Sequence, residues 1–111
     1  MRWSRVEILY FEGCPNHEGT RGLVERIAAE VGVDAEISLV EVADHAAAME
    51  LQFRGSPTVR VDGRDVEPGA DERQDFVFSC RIYRGEHGFA GQPEERWIRD
   101  ALVRETHAAK P

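Results

Sequence analysis

Hydrophobic positions recur along this chain with two periods, and the changes between them mark out its elements. Val6 to Phe11 is apolar at Val6, Ile8 and Tyr10 on one face and at Leu9 and Phe11 on the other, interrupted only by Glu7. Both faces need cover, so the pattern predicts a strand in the middle of a sheet. The spacing then lengthens to four at Leu23, Ile27 and Val31, with Val24 and Ala28 beside them and Glu18, Arg21, Glu25, Arg26 and Glu30 mostly elsewhere around the wheel. That is an amphipathic helix, which Gly32 closes as a C-terminal cap. Ala35 to Val42 returns to alternation, with Ala35, Ile37 and Leu39 against Glu36 and Ser38, and predicts a second strand whose acidic outer positions suit a sheet edge. Strand, helix and strand at this spacing form a right-handed crossover.

Asp44 is placed to cap a following helix from Ala46 to Phe53, with Ala46, Met49 and Phe53 on one face, before Gly55 breaks it. Thr58 to Val61 and Arg64 to Val66 flank Asp62-Gly63, a strong short-range signal for a hairpin. Glycine and charge then punctuate Glu67 to Gln92 around one strand-like run, Phe76 to Tyr83, whose alternation puts Phe76, Phe78, Cys80 and Ile82 on a core face. Pro93 suits a first helical position, Glu94 and Glu95 its first turn, and Trp97, Ile98, Ala101 and Leu102 an apolar stripe. This last helix is expected to fray by Lys110-Pro111. No internal repeat, low-complexity segment or linker interrupts the chain.

Composition narrows the function classes. The 111 residues suit one domain, residues 1–111, large enough to fold without a disulfide scaffold or a structural metal. A hydrophobic share of 41% with 32% charged residues argues against extensive disorder. Lys and Arg number 14 against 21 Asp and Glu, and the formal charge of -7 repels nucleic acid and anionic membranes on average. No run reaches transmembrane length, and Met1 to Arg5 leads directly into the first strand without a signal-like apolar segment, so a cytoplasmic protein is expected. In a reducing compartment two cysteines suit catalysis, redox sensing, metal binding or simple burial better than a permanent bridge.

The candidate chemistry centres on Gly13-Cys14-Pro15-Asn16-His17, between the first strand and the first helix. Unpaired N–H groups and the positive end of the macrodipole stabilise a thiolate at a helix N-terminus, which makes Cys14 a candidate nucleophile. Gly13 permits the sharp turn and Pro15 fits the first helical position. His17 stands where a C-x-x-C protein carries its second cysteine, and is either a proton donor or cation for Cys14 or an exposed first-turn residue. Cys80 is read as a core position by default, and also as the only internal sulfur able to resolve an oxidised Cys14. Zinc needs about four ligands, and Cys14 with His17 supplies one pair only, so no metal site and no cofactor is expected. A soft ion held by Cys14 and Cys80 is the alternative. His45, His87 and His107 sit in polar surroundings and read as solvated, as do the dispersed acidic residues.

The order of elements, with Cys14 at the start of the first helix and Gly55-Ser56-Pro57-Thr58-Val59 before the hairpin, resembles the thioredoxin fold. The resemblance spans residues 6–67 and 93–107 and leaves 68–92 as an insert. It implies an α/β protein with a four-stranded mixed sheet flanked by helices, in the order second, first, third, fourth strand. It further implies a cis Pro57 facing Cys14, with Pro15, Asn16, Ser56 and Pro57 lining a substrate groove. Phe11 to Asn16 also looks like small bacterial thioredoxin-like proteins that carry cysteine or selenocysteine at the first position and lack the second. Two departures stand out: His17 replaces the resolving cysteine, and the usual tryptophan before the motif is absent, so a local C-x-x-C disulfide is impossible. The expected activity is thiol-dependent redox chemistry by Cys14 on a disulfide or peroxide, resolved by Cys80 or by a small external thiol. A soft-metal or organomercurial binding protein and a non-catalytic adaptor are the alternatives.

Overall fold

A computed structural model of the chain describes residues 2–86 and 88–104; His87, His107 and the expected fraying at Lys110-Pro111 lie outside the described residues. In chain order the elements are β1 (Arg2–Tyr10), α1 (His17–Val31), β2 (Val33–Glu41), α2 (His45–Glu50), β3 (Arg54–Ser56), β4 (Thr58–Val61), β5 (Arg64–Asp65), β6 (Val77–Cys80), β7 (Tyr83–Gly85), β8 (Gly88–Ala90) and α3 (Glu95–Arg104). The main sheet has the order β2-β1-β4-β5. β1 runs parallel to β2 and antiparallel to β4, with Val6 opposite both Ile37 and Val61. The protein is therefore mixed α/β with the expected four-stranded mixed sheet.

Both faces of β1 are covered, as its apolar run requires. Val6 and Ile8 pack with Val24 and Ile27 of α1, Val59 and Val61 of β4, and Trp97, Ile98, Ala101 and Leu102 of α3. On the opposite face Leu9 packs with Val42, Ala48 and Phe53. Local signals hold where they were strongest. Gly32 ends α1 at φ 73, its N–H reaching the Ala28 and Ala29 carbonyls. Asp44 caps α2 by accepting the Ala47 N–H at 2.8 Å. Asp62 and Gly63 take φ 50 and 85, the two positive values that a tight hairpin turn needs.

Four expectations are corrected. Pro15 precedes α1, which starts at His17 with Asn16 as its cap, and α3 likewise starts at Glu95, beyond Pro93. α2 stops at Glu50, and Ala48 faces the core while Ala46 and Met49 are exposed. Gln52 at φ 55 reverses the chain there and delivers Phe53 to the core from outside the helix. The run from Phe76 to Tyr83 falls in two strands, not one, because the extended pairing is interrupted at Arg81 and Ile82. Its buried residues are Arg81 and Tyr83, while Phe78, Cys80 and Ile82 are exposed. The physical cause is Arg81, whose charge finds buried partners, so that hydrophobic alternation no longer decides the face.

Candidate functional site

Cys14 lies in the turn between β1 and α1, where its N–H closes back on the Phe11 carbonyl at 3.0 Å. Its side chain points inward, leaving the residue 2% exposed, and the thiol donates to the Ser56 carbonyl at 3.6 Å. Ser56 ends β3 and its peptide bond to Pro57 is cis. The same Ser56 carbonyl accepts the Arg81 N–H at 2.9 Å. β3 and β6 pair in parallel with Ser56 opposite Cys80, so the insert brings Cys80 beside the residue whose carbonyl holds the Cys14 thiol. Both thiols are free, Cys14 buried and Cys80 exposed. Local desolvation, then the charge of Cys14 and a hydrogen bond with its sulfur, push the Cys80 thiol up from its ordinary value. Phe78 of β6 leans on Phe11 with ring centroids 5.2 Å apart and so helps to cover the Cys14 turn.

His17 braces the backbone of this turn. Its Nδ1 lies 2.9 Å from the Cys14 carbonyl, which can only accept, so Nδ1 carries the proton in that contact. The ring stacks on Tyr10 at 4.1 Å between centroids, and Nε2 lies 3.5 Å from Glu18. These contacts hold Cys14 in place through its main chain. Asn16 accepts both the N–H and the hydroxyl of buried Thr20, at 3.0 and 2.9 Å. Its carboxamide lies so close over Gly91 that a Cβ there would come within 2.5 Å of it. Pro15 is exposed. The Ser56 hydroxyl is buried without a hydrogen-bond partner.

Sequence reasoning missed the residues that fix the insert. Arg81, 5% exposed, pairs with Asp65 at 2.8 and 3.2 Å and with Glu67 at 2.7 Å. It also donates to the Thr58 hydroxyl at 3.0 Å, and its guanidinium lies over the Tyr83 ring at 4.3 Å. Burial works against this charge, but Tyr83, Asp65 and Glu67 outweigh it and hold the guanidinium above its usual range. The Tyr83 hydroxyl in turn donates to the Pro57 carbonyl at 2.5 Å. The available signal was a lone arginine inside an apolar run, downstream of a hairpin that ends in Asp65 and Glu67.

Burial raises the Tyr83 phenol well above the ordinary value of about 10. Above that pH the unfolded chain releases this proton while the folded one keeps it, so the contribution is complete below about pH 10 and declines as pH rises beyond it. Unfolding free energy is expected to fall along this alkaline limb. Tyr83→Phe should flatten that limb and cost about 1–2 kcal/mol at neutral pH, from the orphaned Pro57 carbonyl. Urea titrations of both proteins across the alkaline range check this.

Among the described residues no group of three or more His, Cys, Asp or Glu side chains is placed to hold a metal ion. A cleft of about 410 Å³ lies between β7, β8 and α3, lined by Tyr83, Phe89, Pro93 and Glu94, and neither cysteine borders it. No helix among the described residues is long and apolar enough to cross a membrane. Chemically, the site offers two neighbouring free thiols, one buried and one exposed. No protein-family model, no curated protein and no solved structure matches this chain.

Proposed function

We propose that the chain is a thioredoxin-like thiol–disulfide redox protein whose working pair is Cys14 and Cys80. The observation that carries the reading is the meeting of the two thiols beside the cis Ser56–Pro57 peptide, although Cys14 and Cys80 are distant in sequence. The strand order, the parallel crossover through α1 and the cysteine turn ahead of that helix support it further. The missing C-x-x-C partner is replaced by a sulfur from the insert. In the oxidising direction the pair gives up two electrons and two protons to a substrate disulfide, which becomes two thiols, while the protein gains one sulfur–sulfur bond. A peroxide does the same through a sulfenic acid that condenses with the neighbouring thiol, releasing water.

The test is non-reducing mass spectrometry of the protein after treatment with diamide or peroxide. The expected product is a monomer lacking two hydrogens, with Cys14 and Cys80 in one cross-linked peptide pair. Cys80→Ala should abolish that species. Dimers or adducts through a single cysteine in the wild-type protein would overturn the reading.

A further inference from the structure

We infer that Cys80, not Cys14, is the sulfur that meets substrate, and that Cys14 is the buried partner that leaves and returns. This rests on the redox reading above and assigns the order of events within it. Thiol–disulfide exchange needs the incoming sulfur to reach the attacked one, so access decides which of two bonded sulfurs is struck. Cys14 is 2% exposed, with its thiol turned onto the Ser56 carbonyl and Phe11 and Phe78 packed together at its turn. Cys80 is exposed, on a strand whose four residues are all exposed and which, among the described residues, pairs with β3 alone. The position that resembles the nucleophile of a dithiol protein is thus the covered one. In the direction that oxidises substrate, the incoming group is a thiol presented from solvent.

The steps balance as follows. A substrate thiolate attacks Cys80 Sγ of the oxidised pair, the Cys14–Cys80 bond breaks, and its electron pair leaves on Cys14 Sγ, which takes a proton. The product is a mixed disulfide between substrate and Cys80. A second substrate thiolate then attacks the substrate sulfur of that bond, and Cys80 leaves with the electron pair and is protonated. Two substrate thiols have become one disulfide, and the protein is left as a dithiol, to be reoxidised by a disulfide or a peroxide.

Two measurements test the order. In the first, the oxidised wild-type protein is mixed with a cysteine-containing peptide, quenched in acid and mapped by mass spectrometry. The expected mixed disulfide lies on Cys80, with Cys14 free. In the second, 4,4′-dithiodipyridine is reacted with folded Cys14→Ser and Cys80→Ser variants, and Cys80 should react roughly tenfold faster or more, a gap that closes in denaturant because it reflects local opening around Cys14. A mixed disulfide on Cys14, or equal native rates, overturns the order while leaving an intramolecular disulfide intact. Failure of the wild-type protein to form that disulfide at all overturns the redox reading, and the order with it.

Discussion

Arg81→Ala is expected to lower the unfolding free energy by about 3–5 kcal/mol, the cost of stranding a buried charge. Domains of this size hold only about 5–15 kcal/mol in total, so the variant should be close to its threshold. The reason is what remains behind. The Asp65 side chain is fully buried against the guanidinium, and Glu67 and the Thr58 hydroxyl share the same partner. Removing Arg81 leaves Asp65 and the Thr58 hydroxyl buried without this partner, while Glu67 keeps partial access to water. Arg81→Lys should recover only part of the loss, because an ammonium cannot make the two parallel contacts that a guanidinium makes to Asp65. Urea denaturation followed by circular dichroism measures both. A loss below about 1 kcal/mol for Arg81→Ala would place the pair among ordinary surface bridges and sink the argument.

The same cluster explains how two sulfurs distant in sequence come together. A buried ion pair is a weak source of net stability, since desolvation offsets most of the attraction. Its value here lies in position: Arg81 follows Cys80, its N–H holds the Ser56 carbonyl, and its side chain is locked to β5 through Asp65. Tyr83 then ties the next strand to the Pro57 carbonyl. The insert is therefore fixed to the cis-proline loop at two points just after Cys80. An insert without these anchors would have only a short two-stranded pairing to keep Cys80 in register with Ser56.

How much of this was legible follows from how local each cause is. The central strand, the Gly32 and Asp44 caps and the Asp62-Gly63 hairpin rest on residues within a few positions of one another, and each appeared where its chemistry put it. Cys80 was misread because alternation within Phe76 to Tyr83 counts apolar side chains and cannot see that Asp65 and Glu67, far upstream, are waiting for Arg81. Once the arginine turns in, Cys80 and Ile82 must turn out. α1 begins only at His17, so no helical spacing relates it to Cys14, and the ring binds the Cys14 carbonyl instead of reaching the thiol as a proton donor or cation. The pairing of β3 with β6 had no sequence signal, since β3 is three residues long with glycine at its centre.

That glycine is the most sensitive point of the arrangement. Gly55 sits at φ +105, and a Cβ added there would come to 2.8 Å from the Arg81 Cβ, 3.1 Å from its Cα and 3.2 Å from its backbone nitrogen. These are not the ends of a flexible side chain, so relief requires β6 to move away from β3. Gly55→Ala should therefore cost about 1–3 kcal/mol for the backbone conformation and roughly as much again for the forced displacement. It should also suppress the Cys14–Cys80 disulfide, because Cys80 immediately precedes the residue that must shift. Gly63→Ala is the matched control: its φ is +85, and nothing lies within 4 Å of the added methyl group. It should carry the backbone cost alone and oxidise as the wild-type protein does. Urea denaturation gives the two stabilities, and the yield of cross-linked peptide after diamide reports the geometry. A Gly55→Ala protein that is folded and forms the disulfide at the wild-type rate would show that the approach of Gly55 to Arg81 does not set the distance between the two sulfurs.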